Sequence, residues 1–438
     1  MVIFLLILFL TNKLQAQVMI PVGFWQCHSA TTVNSSTDST NANFTAGTLS
    51  NTIVTGSTVS LAVAATSGTF TSQTVDILQS CISFNSFLNF SWKTSLPFLK
   101  ELPTTTESIV DYSSVLTTLQ TSLLGYWRLN ETSVGSAPGG TDFQDFSGNG
   151  NNAVRLGTIT LGASGRFLNA VSSNNSGGYV DLPGANALIS NTSSYTISVW
   201  YNLSAYTNGC AGSGSYLLDR NISGSGNPLA GICTKSNSYT FESRCDNASA
   251  LLDLVGGTVT LNTWQHVVIQ RDRAANLYRI FTNGAQVNTA ADGGGCAVTL
   301  DVFRLARHAT NSSGGMTGSA DEFMIWNRAL SAAEILQLYR RGGNRVQFQF
   351  RACQSPTCAD NPGWVGPNGT ATSYFTELYN NSTQSTGLGN VLLPFPRMTF
   401  SNFGLFILPR NRYFQYRAFL NSDSTATTPD FNFIQLNW

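Results

Sequence analysis

Apolar and polar residues alternate in short runs along most of the chain. Residues 58–63, 194–201 and 346–351 are examples of runs with a period of two, which is the spacing of side chains on one face of a β-strand. Asn283-Gly284 lies between two further runs and supplies the two positive-φ positions of a type I′ turn, so it predicts a β-hairpin. The pattern therefore predicts a chain built mainly of antiparallel sheet.

One helix interrupts this pattern near residue 335. Ser331 and Glu334 have the spacing of a capping box, which predicts a helix that begins directly after Ser331. Gly342 is placed to end it, because glycine readily takes the left-handed conformation that follows a helix. Three apolar residues would share its buried face: Ile335, Leu338 and Tyr339. Many strands and one short helix predict a large β-sandwich.

The chain divides into four segments on these patterns. Residues 1–16 are an apolar run followed by a small-residue cleavage site, so they are predicted to be an export signal and the protein to be secreted or displayed at the cell surface. Residues 17–121 are predicted to be a β-rich N-terminal module with a Ser/Thr-rich linker. Residues 122–341 form the predicted sandwich, and residues 342–438 a separate small C-terminal β-sandwich.

Eight cysteines, an even number, are consistent with export and with a set of disulfides. Cys353 and Cys358 would close a short local bridge, and Cys27 would pair with Cys81. The middle four allow three connectivities, of which we favour two bridges: Cys233–Cys245 and Cys210–Cys296. The alternative is a zinc site, but there is no C-x-x-C pair and the three histidines lie far apart.

The composition narrows the range of partners. Charged residues make up 11% of the 438 residues, with 23 basic and 23 acidic side chains, where a soluble domain usually carries about 25%. A net charge of zero without a basic block argues against nucleic acid and anionic membrane surfaces as partners. Ser, Thr, Asn and Gly replace the missing charges, and a surface of hydroxyl and amide groups suits neutral ligands such as sugars.

The middle of the chain carries an ordered set of motifs: residues 125–131, 145–153, 179–183, 264–267 and 318–331. In this order they resemble a laminin-G-like, concanavalin-A-type jelly roll of bacterial secreted and surface proteins. The resemblance implies an all-β fold in which a central antiparallel jelly-roll sandwich is flanked by smaller β-rich modules. It also implies binding of glycans or proteins through rim loops, often beside a calcium ion.

A calcium site is predicted in the loop that begins at Asp145. Asp145, Ser147 and Asn149 place oxygen side chains at alternate positions before a glycine, as in the first half of a calcium loop. The resemblance implies that Asp321 or Glu322 would supply a further acidic ligand, and that the ion would be structural. The alternative is an Asn/Gly-rich turn in which the first aspartate caps its own loop.

Ligand contacts are predicted in three loops. Tyr206 and Tyr216 lie in Gly/Ser-rich stretches and could stack on a sugar ring, and His308 lies in a polar loop. The enzymatic alternative, a glycoside hydrolase, needs two carboxylates across a cleft. Glu242 and Asp246 are the candidate pair for this role, but the Glu-x-Asp-x-Glu strand of related glucanases is missing.

These observations predict a secreted or cell-surface, non-catalytic binding or adhesion protein that recognises a glycan or a cell-surface protein. No catalytic residue is assigned. A carbohydrate-active enzyme and a structural component of a surface fibre or layer remain as alternatives. Homo-oligomerisation is compatible with each of them.

Overall fold

The structure is a computed structural model, and it describes the following residues: 35–77, 89–102, 118–182, 189, 193–207, 210, 215–222, 228–243, 252–293, 301–308, 314–376, 397–399 and 411–437. The predicted export signal lies outside these ranges, as do four cysteines and one acidic candidate: Cys27, Cys81, Cys245, Cys296 and Asp246. No helix within the described ranges is long and apolar enough to cross a bilayer.

The N-terminal region consists of short strands and one helical turn. These elements are β1 (Ser35–Asp38), α1 (Asn41–Thr45), β2 (Thr48–Ser50), β3 (Thr52–Thr55), β4 (Thr58–Leu61), β5 (Ser67–Thr71), β6 (Val75–Asp76) and β7 (Asn89–Lys93). Thr40 and Asn43 cap α1 reciprocally, which satisfies backbone N–H groups that the first turn leaves without helical partners.

The central region holds fifteen further strands: β8 (Leu123–Trp127), β9 (Val154–Leu156), β10 (Thr160–Ser164), β11 (Asn169–Asn174), β12 (Tyr179–Asp181), β13 (Tyr195–Leu203), β14 (Leu218–Ile222), β15 (Pro228–Lys235), β16 (Ser238–Ser243), β17 (Leu252–Thr258), β18 (Trp264–Asp272), β19 (Leu277–Thr282), β20 (Ala285–Ala291), β21 (Asp301–Leu305) and β22 (Thr317–Trp326). A 3₁₀ turn covers Pro138–Gly140. The predicted hairpin joins β19 to β20, with positive φ at both Asn283 and Gly284.

These strands form two antiparallel sheets. The eight-stranded sheet has the order β10-β11-β22-β13-β18-β19-β20, with β8 paired to β22. The seven-stranded sheet has the order β17-β16-β15-β14-β21-β12-β9. Buried side chains of both sheets form one core, for example Val199 and Ile269 from the first and Ile232 and Phe241 from the second. The all-β sandwich predicted for this region is therefore confirmed.

Helix α2 (Ala332–Gly343) follows the jelly roll and begins as predicted. The Ser331 hydroxyl accepts from the Glu334 backbone N–H, and the Glu334 carboxylate accepts from the Ser331 N–H at 2.8 Å. The predicted apolar face is buried, and its Tyr339 ring stacks on Trp200 of β13 with 5.8 Å between centroids. The helix therefore covers part of the outer face of the eight-stranded sheet.

The C-terminal strands are β23 (Asn344–Cys353), β24 (Arg397–Thr399), β25 (Tyr413–Ser422), β26 (Asp430–Phe431) and β27 (Phe433–Asn437). They pair with N-terminal strands in three sheets, ordered β1-β27-β7-β24, β2-β5-β25-β23 (with β6 also on β25) and β26-β4-β3. The prediction of two separate flanking modules, 17–121 and 342–438, is therefore wrong. Alternation identifies a strand and its apolar face but does not identify the distant strand that pairs with it.

One aromatic core joins the two terminal regions. Phe90 of β7 lies 5.3 Å from Phe348 and 4.7 Å from Phe350, both of β23, and 5.5 Å from Tyr416 of β25, measured between ring centroids. All four residues are buried. The two ends of the chain thus form a single flanking domain, which contains the strands β1–β7 and β23–β27.

Two disulfides lie within the described residues. The Cys353–Cys358 bridge is confirmed. Cys210 pairs with Cys233, with 5.7 Å between Cα atoms, so both favoured bridges of the middle group are wrong. Cys233 lies on β15, and the connection before β14 brings Cys210 to that strand. Sequence spacing alone does not show which cysteines lie side by side in the fold.

Candidate binding site on the seven-stranded sheet

A row of polar residues crosses the seven-stranded sheet. Arg304 of β21 is paired with Asp219 of β14, Asp219 with Gly231 of β15, Gly231 with Glu242 of β16, and Glu242 with Asp253 of β17. Residues directly opposite each other in a sheet project from the same face. The carboxylates of Asp219 and Glu242 therefore share one face, and the position between them carries no side chain.

The period-two alternation of β14 and β16 places Asp219 and Glu242 on the face of the sheet that points away from the core. Leu218 of β14 and Phe241 of β16 belong to the core between the sheets. Their neighbours Asp219 and Glu242 consequently lie on the outer face, because successive side chains of a strand point to opposite faces. The same alternation places Asn221 of β14 and Thr240 of β16 on that outer face.

Four further contacts connect these strands into one polar cluster. The Asn221 amide donates to the Asp219 carboxylate at 3.3 Å, and His308 Nδ1 lies 3.5 Å from the same carboxylate oxygen. The Tyr216 ring meets the His308 ring edge-on at 5.0 Å. The Tyr216 hydroxyl donates to Glu242. All five side chains are fully buried.

The side chains of Asn221 and Thr240 each carry a polar atom, Oδ1 and Oγ1, that has no hydrogen-bond partner in the described part of the chain. Both atoms are buried, and a buried polar group in a protein is normally hydrogen-bonded, since leaving it unpaired costs about 1–3 kcal/mol. Within the described ranges the protein supplies no donor or acceptor for either. A partner for either atom would therefore have to come from outside the described residues.

Electrostatics keep the imidazole of the cluster neutral. Burial lowers the pKa of His308, and the positive charges of Arg307 and Arg304 lower it further. A histidine with a lowered pKa is uncharged near neutral pH. The contact of His308 with Asp219 is therefore made by a neutral ring, and the cluster gains no positive charge from it.

One group among the described residues has the side-chain proximity of a metal site, namely Cys210, Cys233 and Glu242. The two cysteines form a disulfide. A disulfide has no thiolate to offer a metal ion. The group therefore does not fit a metal.

The three residues predicted to contact a ligand have different surroundings. Tyr216 and His308 are brought together, but the prediction that they lie in open loops is wrong, because both are fully buried. Tyr206 is half-buried and packs against the core elsewhere. A Gly/Ser-rich neighbourhood predicts an exposed side chain. Tyr216 instead lies two residues before β14, and its hydroxyl donates a hydrogen bond to the buried Glu242. Sequence reasoning missed Asp219, Asn221 and Thr240, although the alternation of β14 and β16 contains the signal.

The Asp145 loop has the geometry of a capped turn. Asp145 Oδ1 accepts from the backbone N–H groups of Tyr126 (3.0 Å) and Ser147 (2.8 Å). Its Oδ2 accepts from the Ser147 hydroxyl and the Asn151 N–H, both at 2.9 Å. Asn149 turns its amide nitrogen to the Leu123 carbonyl. Because calcium needs oxygen ligands that are free to coordinate it, these residues do not fit the ion.

Asp321 and Glu322 lie in β22 and take no part in the hydrogen bonds described for the Asp145 loop. Asp321 accepts from the backbone N–H groups of Arg166 (2.7 Å) and Phe167 (3.1 Å), and Glu322 accepts from the Tyr126 hydroxyl at 2.8 Å. Burial raises the pKa of Asp321 to about 8 and raises that of Glu322 as well. The two acids do not converge with Asp145 into one group of potential metal ligands.

The same two acids lie near the buried segment that follows β7, because the negative charge of Glu101 contributes to the raised pKa of both. The Glu101 carboxylate lies 3.3 Å from the Arg128 guanidinium, which also donates to the Leu102 carbonyl at 2.7 Å. The Leu102 N–H donates to the Tyr126 hydroxyl at 3.2 Å. The Arg341 guanidinium of α2 donates to the Lys100 carbonyl. Both acids predicted to be metal ligands thus accept hydrogen bonds from neighbouring groups of the protein.

This arrangement makes a prediction for chelation. Adding EDTA to the purified protein should leave the midpoint of thermal unfolding unchanged, because every carboxylate oxygen of Asp145 already has two protein donors. Scanning calorimetry with EDTA, and again after excess calcium, measures this. A midpoint that falls with the chelator and recovers with calcium, but not with magnesium, would contradict the assignment of a capped turn.

Comparisons with known proteins agree with the fold. Residues 174–336 match the family model of the concanavalin A-like lectin/glucanases superfamily, which confirms the resemblance read from the sequence. Among curated proteins, none matches the chain.

Three solved structures illustrate the similarity. Domain 4 of AbnA, a GH43 extracellular arabinanase from Geobacillus stearothermophilus, in complex with arabinotriose, is 17% identical, with a TM-score of 0.39, and the match covers 50% of this chain and 98% of that one. The binding domain of Paraclostridial Mosquitocidal Protein 1 is 16% identical (TM-score 0.39), with 54% and 62% covered. The binding domain of botulinum neurotoxin DC in complex with SialylT is 16% identical (TM-score 0.38), with 53% and 58% covered. The matches thus span less than two thirds of the two toxin chains. The family match thus places the similarity to the concanavalin A-like lectin/glucanases superfamily in the central region, residues 174–336.

Proposed function

We propose that this protein is a secreted, non-catalytic glycan-binding protein, and that its ligand lies on the outer face of the seven-stranded sheet. One observation carries the proposal: on that face the buried atoms Asn221 Oδ1 and Thr240 Oγ1 have no hydrogen-bond partner among the described residues. Sugar hydroxyls both donate and accept, so one hydroxyl group can satisfy each atom.

The chemistry of the face supports a neutral, hydroxyl-rich ligand. Besides the Asp219 and Glu242 carboxylates, the face carries amide, hydroxyl, phenol and neutral imidazole groups, and the Tyr216 and His308 rings lie next to each other. Binding sites of this kind combine a few placed polar groups with ring surfaces. The two described disulfides are consistent with an oxidising, extracellular environment.

A glycan array probed with the full chain tests the proposal, and the affinity of a hit is then compared between two variants. We expect Thr240→Val to weaken binding about tenfold, as for one lost hydrogen bond of 1–1.5 kcal/mol. The substitution keeps the side-chain shape and removes an unpaired hydroxyl, so the thermal midpoint should stay the same or rise. The matched control is Thr258→Val, at an exposed position on β17.

Two results would contradict this assignment. One is an array on which no saccharide binds the folded protein. The other is a saccharide whose dissociation constant, measured by calorimetry, is equal for Thr240→Val, Thr258→Val and the unmodified chain.

A glycoside hydrolase is the second candidate, and the register favours it in one respect. Asp219 and Glu242 flank one intervening strand on a common face, so their strands are about 9.5 Å apart. Inverting glycosidases place their carboxyl groups about 6.5–9.5 Å apart. The same array hits, incubated with the protein and analysed for cleavage, distinguish the candidates, because a binding protein returns them intact.

A further inference from the structure

We propose a second ligand site in the flanking domain, which binds the carboxylate of an acidic saccharide between Arg351 and Arg417 beside Trp364. It lies on a different sheet from the polar row of the jelly roll and does not rest on the function proposed for that row.

The site is built on the β23–β25 ladder. Arg351 of β23 is paired with Gln415 of β25, and Gln349 with Arg417, so the two arginines lie diagonally on one face. Their guanidinium carbons lie 4.5 Å and 4.6 Å from the centroid of the Trp364 ring. The indole thus holds both guanidinium groups in fixed positions through cation–π contacts.

Neutral side chains accept hydrogen bonds from both arginines. Arg351 donates to the side-chain carbonyls of Gln415 (2.7 Å) and Asn361 (2.8 Å). Arg417 donates to Gln349 at 3.1 Å, and its buried Nε has no hydrogen-bond partner among the residues that the structure describes. These contacts orient the two groups but leave their charge uncompensated.

No carboxylate within the described residues forms an ion pair with either of them. Two arginines of the same domain differ in this respect: Arg345 pairs with Asp423 at 2.8 Å and Arg412 with Asp76 at 2.6 Å. The carboxylate of Asp360, which influences Arg351 at longer range, accepts backbone N–H groups of its own loop. Two half-buried positive charges side by side repel each other, and burial lowers the pKa of both. A bound anion would relieve that repulsion, and guanidinium groups match carboxylates in shape.

The surroundings favour a saccharide as the carrier of the carboxylate. The neighbouring positions of the same ladder are neutral: Thr69 and Gln347 flank Phe419 in register. Phe419 itself lies 4.6 Å from the Arg417 guanidinium. Amides, a hydroxyl and an aromatic ring beside the two charges suit the hydroxyl groups, the ring face and the carboxylate of an acidic sugar.

Calorimetry with the full chain tests this site. The probe is oligogalacturonate, and its methyl ester is the control ligand because it has the same rings without the charge. We expect binding of the acid form only, with Arg351→Gln and Arg417→Gln each weakening it at least tenfold, as for a lost charged hydrogen bond of about 1.5 kcal/mol. The matched control is Arg412→Gln, which removes the same charge from an exposed ion pair and should leave the affinity unchanged. Arg417→Lys serves where the glutamine variant unfolds, and should weaken binding while the protein stays folded.

Four outcomes would overturn the proposal. Oligogalacturonate that does not bind, or that binds Arg351→Gln as tightly as the unmodified chain, would exclude this site. Equal binding of the methyl ester would show that the carboxylate is not what is recognised. Oligoglutamate binding as tightly as oligogalacturonate would assign the site to acidic peptides instead. Thr240→Val should leave oligogalacturonate binding intact, so failure of the jelly-roll proposal is distinguishable from failure of this one.

Discussion

Phe90→Ala should unfold strands at both ends of the chain at once. Phe90 packs against rings of β23 and β25, and removing a buried phenylalanine side chain costs about 3–5 kcal/mol. Because the two terminal regions share this core, the loss should destabilise both. Amide hydrogen exchange followed by mass spectrometry measures it, with faster exchange expected in β5 and β7 and equally in β23 and β25.

The control is Ile53→Ala, which truncates an exposed side chain on β3 of the same domain and should change exchange little. If Phe90→Ala accelerated exchange only in the N-terminal strands, the two ends would be independent modules, and the shared domain described above would be wrong.

Arg128→Met should destabilise the protein by about 3–5 kcal/mol, because it leaves the buried Glu101 carboxylate without its cation. Both side chains of the pair are at most 5% exposed. Denaturant unfolding monitored by tryptophan fluorescence gives the free energy of unfolding. Adding Glu101→Gln to the first substitution should recover a large part of the loss, since the uncompensated charge is then removed.

Arg328→Met is the matched control, since Arg328 pairs with Glu334 at 2.7 Å in a partly exposed position. Such a pair contributes about 0–1 kcal/mol. If Arg128→Met cost no more than Arg328→Met, the stability of the protein would not depend on this buried pair.

Local rules predicted the elements of this fold well. Alternation predicted the strands, the Asn283-Gly284 pair predicted the β19–β20 hairpin, and the Ser331–Glu334 box predicted the start of α2. Each of these features is decided by residues close together in sequence. The sequence did not show that β27 lies between β1 and β7, because any alternating strand can pair with any other whose apolar face is on the same side.

The candidate site was predictable in part for the same reason. Sequence reasoning identified Tyr216, His308 and Glu242 only as separate polar or aromatic residues. Their contacts with one another depend on β14, β15 and β16 being neighbours in the sheet. The residues of the Asp145 motif do not fit calcium, because backbone donors of a tight turn satisfy its carboxylate. The spacing of oxygen-bearing residues is the same in both kinds of loop.

A crystal structure of the protein with a saccharide identified on the array tests the central claim most directly. We predict the sugar on the outer face of the seven-stranded sheet, with hydroxyl groups within about 3.2 Å of Asn221 Oδ1 and Thr240 Oγ1. A saccharide bound at the loops of the jelly roll, with both of these atoms still unpaired, would contradict it.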